Sequence, residues 1–214
     1  MRLYLSSYKF GNKPEKLFEL LHGKKSKVAV ITNATDMHPE VGVVERLAED
    51  IAFFSQNGLE AERLNLCNYF GKQQKLNKKM EEYDLVWVKG GNTFLLRVAM
   101  RLSGFDEYIK AALKNDKIVY AGFSAGGCVL SPSLKGFDTV DDPSLVEKVY
   151  GEPADYSGLG ILSYHFEPHY KSDHPESDDV DKEVEYLKKN KIPYKTLHDG
   201  EAIVIDGRKE ELVG

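Results

Sequence analysis

The segment Ile118-Val-Tyr-Ala-Gly-Phe-Ser-Ala-Gly-Gly-Cys-Val-Leu130 holds the clearest candidate for chemistry in the chain. Ile118 to Ala121 is an apolar run that reads as a buried strand, ended by Gly122. Ser124 follows in Gly122-x-Ser124-x-Gly126, a spacing that suits a sharp strand-to-helix turn exposing one hydroxyl. The N–H of Ala125 would then open a helix, where an unpaired donor and the helix dipole can hold an oxyanion. A second such donor is expected where Val88 runs into Gly90-Gly91 and the helix predicted over Asn92 to Leu102. A bare glycine N–H there can approach a carbonyl closely. The same pair could cradle a phosphate, but the Lys-Ser/Thr of a phosphate loop does not follow.

A serine hydroxyl needs a base within hydrogen-bond reach. His22, His38, His174 and His198 fall at a predicted helix end, in loops or beside turns, and read as surface histidines. His165 and His169 close the strand predicted over Leu159 to Phe166, at the same sheet edge as Ser124, and position alone leaves both open. A carboxylate should orient the imidazole. Asp138, Asp141 and Asp142 lie between the serine and the histidines, in the chain order Ser…Asp…His. No Cys/His spacing suggests a zinc site, and His165-x-x-x-His169 lacks the helix and adjacent glutamate of a metalloprotease, so no metal is expected.

The elements that must position these groups alternate. Strands are expected over Leu3 to Ser6, Val28 to Ile31, Glu60 to Leu66 and Leu85 to Val88. Helices are expected over Pro14 to Leu21, from Val43 to Asn57-Gly58, and over Lys72 to Glu82. This pattern predicts an α/β domain with a mostly parallel sheet and helices on both faces. Its ligand edge would be the carboxyl ends of the strands, where the Gly90 and Ser124 turns should face each other. Residues 133 to 158 read as loops and turns with room for a short hairpin, and Ser172 to Asp181 as an exposed acidic stretch. The segment leading from there through Leu187 reads as a helix, and Glu201 to Val213 as a hairpin turning at Asp206-Gly207.

With 214 residues and no evident linker, one domain spanning 1–214 is expected. A net charge of −5 removes the electrostatic footprint of a nucleic-acid binder. The short run Lys24-Lys25-Ser26-Lys27 reads as a solvated turn. No segment has the length of a membrane span, and Met1 to Leu5 is too short for a secretory signal. Two cysteines, Cys67 and Cys128, fit a reducing compartment, so a cytoplasmic protein without a membrane or nucleic-acid partner is expected.

Val88-Lys-Gly-Gly-Asn-Thr-Phe-Leu-Leu96, Ala121-Gly-Phe-Ser-Ala-Gly-Gly127 and Glu167-Pro-His-Tyr170 together resemble the peptidase E (aspartyl dipeptidase) family of serine peptidases, whose relatives include cyanophycinase. The resemblance implies a flavodoxin-like, class I glutamine amidotransferase-like fold and a hydrolase of short peptides that works without a cofactor, as a monomer or homodimer. It implies Ser124 as nucleophile, Gly91 and Ala125 as oxyanion donors, and His169, which follows a proline, as base with His165 second. Asp142 of Asp141-Asp142-Pro143 is the nearest counterpart of the family's aspartate, with Asp141 and Asp138 as alternatives.

One departure bears on specificity. In aspartyl dipeptidases an arginine beyond the histidine binds the substrate aspartate. Here Ser177-Asp-Asp-Val-Asp-Lys-Glu-Val184 has no arginine, and Lys182 offers only a point charge. Such an acidic stretch would repel an aspartyl side chain. An esterase using the same nucleophile, and a non-catalytic binding protein on the same fold, are the two alternatives.

Overall fold

In the computed structural model, which describes residues 1–23 and 26–214, seven strands form one sheet in the order β3-β2-β4-β5-β1-β8-β9. Lys24 and Lys25 of the basic run lie outside the described residues. β1 (Arg2–Ser6), β2 (Lys27–Ile31), β3 (Glu60–Arg63), β4 (Leu85–Val88) and β5 (Val119–Phe123) are mutually parallel. β8 (Ala202–Asp206) and β9 (Lys209–Val213) extend the sheet antiparallel beyond β1.

Strand periodicity decides which side chains meet which helices. Leu3, Leu5, Val86, Val88 and Tyr120 pack on one face with α3 (Gln73–Met80), α4 (Thr93–Ser103), α5 (Phe105–Lys114) and the short α6 (Ala125–Cys128). Tyr4, Leu85, Trp87, Val119 and Ala121 face the other way, toward α1 (Glu15–Glu19) and α2 (Glu40–Gln56). Both faces are covered, which is why these strands read as unbroken apolar runs.

The expectations for the first five strands, the early helices and the final hairpin are close to what forms. The region after Pro132 differs. Residues 133 to 158 contain no hairpin among the described residues. Instead Leu145–Tyr150 forms α7, and one isolated bridge joins Ser133 to Ser157. The strand expected from Leu159 shrinks to β6 (His165–Glu167), because the N–H groups of Leu159, Ile161 and Leu162 are taken by carbonyls of Val129 and Leu130. β6 pairs not with the main sheet but with β7 (Tyr194–Thr196), and α8 (Ser177–Lys189) lies between them in the chain.

β4 and β5 are neighbours, with Val88 opposite Gly122, so their carboxyl ends bring the two glycine turns together. The fit is tight. A Cβ built on Gly126 would lie 2.3 Å from the Val88 carbonyl oxygen, a contact backbone cannot yield to cheaply. Gly126→Ala is therefore expected to destabilise the fold by about 1–3 kcal/mol or more, read as a lower urea midpoint at unchanged slope.

Candidate active site

Ser124 joins β5 to α6 at φ 48° and ψ −121°. This is left-handed backbone that a residue with a Cβ rarely adopts, and strain of this kind costs about 1–3 kcal/mol. The surrounding structure enforces it: the Ser124 N–H donates to the Ser6 carbonyl at 3.3 Å, and its own carbonyl accepts from Gly127 and Cys128. The side chain opens into a cleft lined also by Gly91, Thr93, Asp141, His169, Glu176 and Glu183. Among the described residues neither the Gly91 nor the Ala125 N–H has a hydrogen-bond acceptor. Gly91 sits at φ 136°, and a Cβ there would strike the Ala34 carbonyl at 2.4 Å. Only glycine fits.

Of the two histidines that position left open, His169 lies in the cleft and His165 does not. His165 is buried, stacks on Phe137 with ring centroids 5.5 Å apart, and sits 3.7 Å from Glu167. His169 is also buried, and its Nδ1 lies 2.7 Å from Asp199 Oδ1.

Asp199, not Asp142, holds the imidazole. Asp142 is exposed: its Oδ1 accepts from the Ser144 N–H at 2.8 Å, while its main-chain oxygen accepts from Asn92 Nδ2 at 3.0 Å. The backbone is drawn toward the site and the carboxylate is turned out of it. Asp138 likewise closes a local turn on the Gly136 N–H. Asp141 does line the cleft, but it accepts from the Thr93 N–H at 2.8 Å, at the start of α4. Burial pushes its carboxyl up to about 7, against the opposing bonds from Thr93.

Sequence reasoning missed both Asp199 and Ser7. Ser7, just past β1, accepts from the His169 N–H at 2.8 Å and donates to Asp199 Oδ1 at 2.7 Å. One hydroxyl thus fixes the backbone of the histidine and the carboxylate that faces its ring. The signal for Asp199 was a D-G pair directly before β8, in the strand layer that ends beside β1.

His174 was also misjudged as a surface group. It is half-buried and stacks on His169, ring centroids 3.7 Å apart and planes 10° from parallel. Tyr8 meets both rings edge-on. Burial first, and the His174 charge second, hold the His169 imidazole below its ordinary value of 6.5, while Asp199 works the other way. Cys128 lines the cleft as well, but burial pushes its thiol well above the usual range, which leaves Ser124 as the nucleophile candidate at the elbow.

Among the described residues, two groups have the geometry to hold a metal ion: His169, His174 and Glu176, and the buried His165, Glu167 and Glu183, each with ligand-type atoms within 4.8 Å of one another. In the second group, burial raises both carboxyls, and the charge of Glu167 raises Glu183 further.

The balance of forces on His169 gives a direct expectation. Its ring, followed by NMR titration, should lose its proton below pH 6.5. Asp199→Asn should lower the midpoint further by removing the stabilising carboxylate, and His174→Ala should raise it.

Comparisons with known proteins place the chain in a family. The family model described as Peptidase family S51 matches residues 5–213. The chain is 30% identical over 141 residues to "Peptidase E" of Streptomyces coelicolor, a match that covers 64% of this chain and 54% of that protein. It is 29% identical over 136 residues to an uncharacterized peptidase of Listeria monocytogenes, covering 63% of this chain and 62% of that one. The aligned part thus spans between half and two thirds of these relatives. Among solved structures, a peptidase from an acI-B1 Actinobacterium superposes with a TM-score of 0.71 at 18% identity, covering 100% of this chain and 87% of that one, a likeness of fold. With the family model matched from β1 to β9, the chain belongs to Peptidase family S51.

Proposed function

We propose that the protein is a serine peptidase that hydrolyses short peptides through an acyl-enzyme on Ser124. The observation that carries this reading is the convergence of a strained serine elbow, a histidine paired with a carboxylate, and the Gly91 backbone on one cleft, with the Ala125 N–H next to the serine; neither N–H has an acceptor among the described residues. Each group answers a separate need of amide hydrolysis.

With Nδ1–H held by Asp199, the His169 ring keeps Nε2 unprotonated as the base. Nε2 takes the proton of Ser124 as Oγ attacks the scissile carbonyl. The negative charge that develops on the carbonyl oxygen meets the N–H groups of Gly91 and Ala125. His169 then returns its proton to the departing amine, leaving an ester on Ser124. Water, deprotonated by the same imidazole, attacks that ester and releases the carboxylic product. Asp199 stabilises the imidazolium at both stages and takes no proton itself. The low basicity of the buried His169 suits this work, since it remains neutral and competent across the neutral range.

Turnover of a dipeptide and small-peptide library is the test. Ser124→Ala should lose about 10⁴-fold or more in kcat, and Ser124 of the wild-type protein should be labelled by a fluorophosphonate probe. Asp199→Asn should lose at least about a hundredfold in kcat, whereas Asp142→Asn should stay within about twofold. kcat/KM should fall on the acid side with a midpoint below pH 6.5, as His169 takes up its proton. No cleavage together with an inert Ser124 would overturn the reading in favour of a binding protein. Ester turnover without peptide turnover would favour an esterase.

A further inference from the structure

Beside Ser124 the cleft has apolar walls and acidic groups. Phe137, Val140 and Val180 line it together with the carboxyls of Asp141, Glu176 and Glu183, and no lysine or arginine is among its described lining residues. Glu183, on α8, is 1% exposed, and its Oε1 has no hydrogen-bond partner among the described residues. Gly136 backs it closely, because a Cβ there would lie 3.3 Å from that oxygen. Behind stands Glu167, fully buried, its Oε1 3.7 Å from His165 Nδ1 and neither carboxyl oxygen hydrogen-bonded among the described residues.

A buried carboxyl without a partner is costly, and a native fold that keeps one beside its reactive serine calls for a ligand that completes it. We propose that this cleft selects a cationic side chain, the ammonium of lysine or the guanidinium of arginine, on the residue whose carbonyl Ser124 attacks. The proposal rests on the peptidase reading above and names its substrate class.

The chemistry matches in two parts. The apolar walls accept the methylene stem of a lysine or arginine, and the acidic groups receive its charged end. An aspartyl or glutamyl side chain would add a negative charge to three carboxyls and be rejected. A neutral side chain of the same length would bury its stem yet leave Glu183 unpaired, so selection between the two comes from the charge. The groups facing Glu183 are Glu167 and His165 of β6, and Asp141 and Asp138 of the loop before α7.

Ser124→Ala, treated with a chelator and shown to be folded by its thermal melt, can be titrated calorimetrically with lysyl-alanine, norleucyl-alanine and aspartyl-alanine. Lysyl-alanine should bind at least about tenfold more tightly than norleucyl-alanine, and aspartyl-alanine more weakly than either. Adding Glu183→Gln, or Glu176→Gln should the first fail to fold, should bring the lysyl-to-norleucyl ratio to about threefold or less. Equal binding of lysyl- and norleucyl-alanine would overturn the proposal. So would tight zinc binding lost on Glu167→Gln with no lysyl preference, which would make the buried cluster a metal site. Cleavage of the library by the wild-type protein without basic preference would sink the specificity and leave the peptidase standing. Lysyl preference in binding with Ser124 inert to a fluorophosphonate would do the reverse.

Discussion

The close packing of α6 against the end of β4 is the constraint on which the rest of the site depends. Gly126 lies so near the Val88 carbonyl that no side chain fits between them. This contact lets the chain leave β5, reverse at Ser124 and enter α6 within a few residues, and the strained φ of 48° follows from it. Because β4 and β5 are paired in register, the same contact sets Gly91 beside the serine. Ser124 and the Gly91 turn are therefore positioned by sheet geometry, which is stiff, rather than by loop conformation, which is not.

The basic half of the site is built by a different device. His169 lies beyond the end of β6, in a turn, with φ at 60°. Three hydrogen-bonding contacts link it to the sheet: its N–H to Ser7, Ser7 to Asp199, and Asp199 to its ring. Burial lowers the basicity of His169, and the stacked His174 opposes a second positive charge beside it. The carboxylate compensates in part. What results is an imidazole kept in one orientation and neutral at ordinary pH, the state a general base requires.

Those two devices explain what could be read in the chain and what could not. The strand runs at Val28, Leu85 and Ile118 and the glycine spacing around Ser124 are local signals, since each reflects the burial or backbone demand of the residues themselves. They gave the sheet, the elbow and the facing glycine turn. The carboxylate partner is a relation between residues 30 positions apart, brought about by β7 pairing with β6 and by β8 lying against β1. Nothing near Asp199 in the chain marks it apart from other D-G turns. Asp142 was favoured on its local string, but a turn onto Ser144 claims its side chain. The strand expected from Leu159 failed for a similar reason: carbonyls at the end of α6 captured its N–H groups.

Ser7, the one hydroxyl that ties His169 to Asp199, follows the first strand, and Asp199 precedes the eighth. The complete constellation thus draws on residues 7, 91, 124, 169 and 199, nearly the full run from β1 to β8. During synthesis the elbow emerges from the ribosome about 75 residues ahead of the carboxylate, so a nascent chain carries its serine well before the base is oriented. The pairing of β8 with β1 is a long-range closure that carries the entropic cost of the loop between them. Ser124, His169 and Asp199 thus come together only when the two ends of this span meet in the sheet.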